Sequence, residues 1–446
     1  MILLENGIIV TSEKEEKGTI VIDEGNIVDV LYTTDEGYPL NVWNYRKEAD
    51  QVIDIEGKHV IAGGIDAHVH FREPGLTHKA DMATESLAAV AGGVTTVMDM
   101  PNTSPATTTA DRLKGKVQLA KEKSVAKMSF HIGATNDNVE DICRLITAGD
   151  ESTGITPDDI AGVKVFMGSS TGNMLVDAGE TLDKLFAIKE KPVLVHCEDE
   201  ATIKENLAKA IETYGEEIPF REHENIRSRK ACIKSSIKAL EMAMKHGTRL
   251  VLCHISTKEE IQMTRAAKLT NPNIVAETSC NYLWFCNEDY DRLGSRAKCN
   301  PAVKGADDRQ ALIEALANGD IDTIGSDHAP HLPSEKDAPY CKAPSGLPSI
   351  QQSLPVLLTI AHDNEIPLTR IASVFSENAS KIYNLGRGKI AKGFDADLVV
   401  FDYGQTFEVR TSDQFSKCGW TPYEGEILRG MIEKVYINGK EITLPR

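Results

Sequence analysis

Six side chains with metal-binding chemistry close short apolar runs in this sequence. They are His68 and His70 in "GIDAHVHF", Lys164 in "AGVKVFMG", His196 in "PVLVHCE", His254 in "RLVLCHIST" and Asp327 in "DTIGSDHAP". Neutral imidazole and carboxylate suit zinc and other first-row ions. His68 and His70 are two apart, so on a strand both rings project to one side. Any one of these histidines alone reads as a hydrogen-bonded core or loop residue. Four histidines and an aspartate at the ends of apolar runs are costly to bury unpaired, and a shared metal site removes that cost. Arg72 lies two residues beyond His70, on the same face and one step further out. A planar guanidinium there can grip a carboxylate bidentately; the plainer reading is a surface salt bridge.

Lys164 is the odd member, because lysine is rarely buried without a partner. Its plain reading is a snorkelling surface residue. Inside an apolar strand beside cations, burial favours the neutral amine. A neutral amine can add carbon dioxide, and the resulting carbamate is an anionic ligand able to bridge two metals.

Those positions need a scaffold that brings strand ends together. Eight apolar runs recur between "HVIAGGIDAHVHF" and "DTIGSDHAP", and most are separated by helix-like segments such as "TKEEIQMTRAAKL". Near-continuous apolar strands alternating with helices predict a parallel sheet covered on both faces. Eight such units over about 300 residues predict an α/β fold, a (β/α)8 TIM barrel, with its active site at the C-terminal strand ends. Both chain ends have a different texture of short strands and tight turns, including "GTIVIDEGNIVDVL" and "GKIAKGFDADLVVFD". They are predicted to pair into one small β-sandwich domain, residues 1–60 with 388–446, beside a catalytic barrel of residues 61–387.

Length and composition agree with this plan. The chain has 446 residues, 41% of them hydrophobic, enough for a barrel and a smaller unit. A net charge of −18 argues against nucleic acid or an anionic membrane as partner, so an anionic substrate needs local positive charge. There is no apolar stretch of about 18 residues and no signal-peptide pattern, so no membrane association is expected. The nine cysteines form no CxxC pair, which fits a cytoplasmic protein. Cys197 and Cys253, next to His196 and His254, read as small buried strand residues. His59, His78, His131, His223, His246, His328 and His362 read as surface or packing residues, and His331 likewise receives no ligand role.

The metal-site residues resemble those of the amidohydrolase superfamily, and more narrowly the cyclic amidases: dihydroorotases, allantoinases, dihydropyrimidinases and hydantoinases. The resemblance covers nearly the whole chain. It implies two Zn2+ ions per subunit, held by His68, His70, Lys164, His196, His254 and Asp327 and bridged by carboxylated Lys164 and a hydroxide. "DAHVHFREPG", "MPNT" and "SDHAPH" together look like the dihydroorotases. That likeness implies that Arg72, Asn102 and His331 bind the carboxylate of dihydroorotate. It also implies that Asn300 contacts the ring and that backbone groups around Pro344 and Gly346 touch the substrate. Asp327 would be the catalytic proton carrier in reversible hydrolysis to N-carbamoyl-aspartate, a step of pyrimidine biosynthesis. A homodimer and association with aspartate transcarbamoylase are further implied partners.

Two positions depart from the family pattern. Cys280-Asn281-Tyr282 stands where a Pro-His-His or Pro-His-Tyr triplet is usual, and Lys304 replaces an arginine in "CNPAVK". "GSSTGNM", after the fourth run, reads equally as a mobile loop over the substrate or an ordinary turn. Two other readings compete: an allantoinase or hydantoinase, which needs neither Arg72 nor Asn102, and a non-catalytic scaffold relative, which would have lost ligands.

Overall fold

The computed structural model describes residues 1–168 and 174–445. The chain ends build an eight-stranded mixed sheet from β1 (Ile2–Val10), β2 (Glu15–Asp23), β3 (Asn26–Tyr32), β4 (Gln51–Asp54), β5 (His59–Ala62), β14 (Leu398–Glu408), β15 (Ile427–Ile437) and β16 (Lys440–Glu441). Its order is β16-β15-β14-β5-β1-β2-β3, with β4 also on β1. The sheet curls back on itself. Ile27 N–H donates to Phe394 O at 2.8 Å and Ala396 N–H to Gly25 O at 2.9 Å, so the β2–β3 turn meets the strand entering β14. Leu4, Ile20, Ile22, Val60, Leu398 and Tyr436 fill the space between.

The eight apolar runs supply the second sheet: β6 (Gly64–Val69), β7 (Val94–Asp99), β8 (Lys127–Gly133), β9 (Ile160–Phe166), β10 (Val193–His196), β11 (Leu250–Leu252), β12 (Val275–Thr278) and β13 (Thr323–Ile324). They pair in chain order and in parallel. A parallel bridge between Val69 and His328, with His70 N–H donating to His328 O at 2.8 Å, completes the ring. Every residue of β6 and β7 is buried, as expected of strands covered on both faces. The first run divides in two: β5 joins the terminal sheet and β6 the barrel. Gly63 and Gly64 make the passage, because a Cβ on Gly63 would lie 2.2 Å from Thr95 Oγ1 and one on Gly64 would lie 2.4 Å from Phe375. The largest apolar cluster contains both barrel residues and Val399, Phe401, Trp420 and Tyr423, so barrel and terminal sheet share one core.

A buried ion pair braces the mouth. Lys116, on the helix Ala110–Lys123, sits 2.5 Å from Asp99 at the end of β7, and both side chains are fully buried. Asp99 also accepts the N–H of Phe71 at 2.9 Å, next to Arg72. Lys116→Met would strand the Asp99 charge. A loss of about 3–5 kcal/mol is expected, read as a lower urea midpoint; an unchanged midpoint would show that the pair is dispensable.

Candidate metal centre

The strand ends converge on one cavity of about 350 Å3, lined by His68, His70, Lys164, His196, His254 and Asp327. Arg72, Asn102, Asn300, His331, Pro344 and Gly346 line the same cavity. The structure therefore brings together all twelve residues singled out in the sequence. Ser345, between Pro344 and Gly346, lines it as well, and so do Phe166 and Ala329, which nothing in their types or spacing marks beforehand.

Three of the four histidines are turned by a partner behind them. His68 Nδ1 lies 2.8 Å from Glu277 Oε1, His70 Nδ1 2.7 Å from Asn102 Oδ1, and His196 Nε2 2.9 Å from Glu198 Oε2. Such partners fix the tautomer and aim the other ring nitrogen at a metal. The nitrogens left facing inward are His68 Nε2, His70 Nε2 and His196 Nδ1. His196 Nδ1 lies 2.9 Å from His254 Nε2, and His70 Nε2 lies 3.0 Å from Asp327 Oδ1. His254 Nδ1 is buried with no hydrogen-bond partner, so its lone directed contact is on the cavity side. Burial drives His68 and His254 well below the ordinary histidine range, which keeps them as the neutral ligating form. Burial is the largest single influence on Asp327 and opposes its charge, but the hydrogen bond with His70 and the surrounding His68, His70 and His254 together outweigh it and hold the carboxyl well below the usual carboxylate range.

Lys164 is almost fully buried, and no carboxylate forms an ion pair with it among the described residues. Its Nζ lies 3.4 Å from Cys253 Sγ. A lysine with no carboxylate at ion-pair distance among the described residues, ringed by imidazoles, suits conversion to an anion. The donor set thus fits a pair of divalent cations: three histidine nitrogens oriented from behind, a fourth histidine opposite, an ionised aspartate, and a lysine placed between them.

The outer supports were not visible in the sequence. Asp66 accepts the N–H groups of His68 and Ser326 at 3.0 and 3.1 Å, tying the β6 histidines to the loop that carries Asp327. Burial pushes the Asp66 carboxyl up to about 7. It likewise pushes Glu277 up to about 7, against the opposing charge of Lys164. Glu198 is gripped by Arg227, whose Nε donates to it at 3.1 Å. Arg72, His254 and Asp327 all have positive φ, at 63°, 38° and 49°. Non-glycine residues held there cost about 1–3 kcal/mol each, a strain that gathers at functional sites.

The substrate end is equally defined. Arg72 is buried; its Nε donates to Pro330 O at 3.1 Å and one terminal nitrogen lies 3.0 Å from His331 Nε2. Because Asn102 Oδ1 is taken by His70, its amide N–H groups remain for the cavity. Asn300 Oδ1 is buried without a protein partner, an acceptor open to a ring N–H. Gly346 has φ +144°, and a Cβ there would lie 2.5 Å from Ala329 O, so backbone forms this wall. The two departures have structural answers. Asn281 donates to Ser326 O at 3.3 Å and accepts from Tyr423 Oη at 2.9 Å, bracing the Asp327 loop from below. Lys304 donates to Ala302 O at 2.7 Å and does not line the cavity. Residues 169–173, most of the segment that reads equally as a mobile loop or an ordinary turn, lie outside the described residues.

Comparison with known proteins agrees with this geometry. Residues 59–442 match the model of the Amidohydrolase family. A dihydroorotase of Methanosarcina acetivorans is 36% identical over 389 residues, covering 84% of this chain and 80% of the relative. An allantoinase of Desulfitobacterium hafniense is 29% identical, covering 99% of this chain and 95% of the relative. The L-hydantoinase of Arthrobacter aurescens superposes with a TM-score of 0.89 at 25% identity, covering 99% of this chain and 95% of that one. No helix among the described residues is long and apolar enough to cross a membrane.

Proposed function

The chain belongs to the amidohydrolase family and is a cyclic amide hydrolase, and on that premise we propose that it is a dihydroorotase. It would interconvert (S)-dihydroorotate and N-carbamoyl-L-aspartate in pyrimidine biosynthesis. One observation carries this reading: Arg72, Asn102 and His331 stand in the same cavity as the metal-ligand set. A cyclic amide without a carboxylate gives a buried arginine nothing to bind, whereas dihydroorotate carries one. The dihydroorotase relatives support the same choice.

His68 Nε2, His70 Nε2, His196 Nδ1, His254 Nε2, Asp327 and carboxylated Lys164 would hold the two zinc ions. When bound, the pair of cations would bring the acidity of water towards neutrality and polarise the ring amide carbonyl. Arg72 and Asn102 would orient the substrate by its carboxylate, and Asn300 Oδ1 would accept a ring N–H. Asp327 would take the proton of the attacking water and pass it to the leaving ring nitrogen as the C–N bond breaks. In ring closure the same carboxyl group moves the proton the other way. The reading also carries a cytoplasmic location, a homodimer and association with aspartate transcarbamoylase.

The test is one assay. Purified protein should hydrolyse dihydroorotate, lose that activity on exhaustive chelation, and regain it on addition of zinc, with about two ions bound per chain. Its intact mass should exceed the sequence mass by one carbon dioxide. Turnover of allantoin or hydantoin with none of dihydroorotate would favour the sister enzymes; activity without metal would remove the mechanism.

A further inference from the structure

We propose that Lys79 is a positioning residue of the carboxylate pocket, whose ammonium holds His331 as the neutral Nε2–H tautomer so that the ring presents a donor beside Arg72. The inference rests on the dihydroorotase reading of the site and adds a residue to it.

The argument is a count of donors. Lys79 Nζ lies 3.0 Å from His331 Nδ1 and 2.8 Å from Glu335 Oε1. An ammonium has only donors, and so has the Arg72 guanidinium 3.0 Å from Nε2, so a neutral ring can accept from just one of them and the acceptors within reach decide in favour of Nδ1 accepting from Lys79. The ring hydrogen of a neutral imidazole is then on Nε2, which finds Ser345 O at 3.1 Å. The other tautomer would aim Nδ1–H at an ammonium, and the nearest remaining acceptor, Glu335 Oε2, is 3.8 Å away. Double protonation is also opposed. His331 is largely buried and faces Arg72, Lys79 and Lys336, with the Glu335 carboxylate 3.8 Å away, so burial and then those cations hold it far below the ordinary histidine range.

The result is two donors converging. Arg72 N–H and His331 Nε2–H stand 3.0 Å apart with only the neutral Ser345 O, 3.1 Å from Nε2, as acceptor, so the two donors favour an anionic acceptor that can span them and share or replace that carbonyl. A carboxylate does so with its two oxygens. The ring is kept in place by its chain: Trp420 Nε1 donates to His331 O at 2.7 Å. Lys79 is itself anchored by its segment, since Glu73 accepts the N–H of Met82 at 3.0 Å and Asp81 caps the helix Met82–Ala91.

The experiment compares Lys79→Met and Lys79→Arg in metal-loaded enzyme. Lys79→Met should raise KM for dihydroorotate about ten-fold or more, the value of one misdirected hydrogen bond to a charged group. Its kcat should stay within about two-fold, and turnover of a neutral cyclic amide should not change. Lys79→Arg, which keeps donors only, should restore most of the affinity. Nitrogen-15 spectra of histidine-labelled protein, with the His331 signal identified by its loss in His331→Asn, should show Nε2–H in the wild type and a tautomer mixture in Lys79→Met. An unchanged KM, an equal loss on the neutral substrate, no rescue by arginine, or Nδ1–H in the wild type would each overturn the inference. Absence of dihydroorotate turnover by the wild type would instead overturn the proposed function, and the spectra would still judge the hold of Lys79 on the ring.

Discussion

Asp327→Asn is expected to lower kcat for dihydroorotate by ~10²–10⁴-fold, about 3–5 kcal/mol of barrier, in protein that still carries its metals. The side chain sits at the loop end of β13, with its carboxylate oxygen 3.0 Å from His70 Nε2 and 3.5 Å from His68 Nε2. Held ionised, it can accept a proton from water in the cavity; an amide of the same shape cannot. Asparagine keeps an oxygen in place, so the variant separates proton transfer from ligand loss. Metal content must be measured on the same sample, since a ligand change that emptied the site would mimic the effect. A near-wild-type rate in a metal-replete variant would end the role assigned to Asp327.

Arg72→Met is expected to reduce kcat/KM for dihydroorotate by about 10²–10³-fold, mostly through KM. Truncating one partner of a buried, hydrogen-bonded charge pair costs about 2–5 kcal/mol, and the bidentate geometry puts Arg72 in that range. Hydrolysis of a neutral ring such as hydantoin should change little or improve in relative terms. Arg72→Lys should recover only part of the loss, because an ammonium is a point charge without the planar fork. Equal losses on charged and neutral rings would mean that Arg72 supports the mouth rather than selecting a carboxylate. The positive φ of Arg72 and the N–H of Phe71 on Asp99 make that structural alternative concrete, so the substrate comparison is the deciding measurement.

Much of the site was legible from residue types. His68, His70 and Arg72 share one face because a strand has a period of two, and β6 delivers them to one cavity. His196, His254 and Asp327 end apolar runs that the structure turns into β10, β11 and β13 or their following loops. The terminal segments could be paired by texture alone. The Gly63-Gly64 passage between the two sheets was hidden, because an unbroken apolar run does not say where a strand changes neighbours.

By itself the sequence determined the apolar repeat that builds a barrel, the ligand types at its strand ends, and an arginine on the same face as two histidines. Local periodicity and donor chemistry are properties of neighbouring residues, so they can be read without coordinates. Only the tertiary structure decided which nitrogen of each histidine faces the cavity. Glu277, Asn102 and Glu198 set those orientations from behind. Glu277 lies 209 residues from His68, and no local pattern links them. The same holds for Lys79 and His331, 252 residues apart. Tautomers and charge balance depend on which groups meet in a buried space, and that is a consequence of how the whole chain closes.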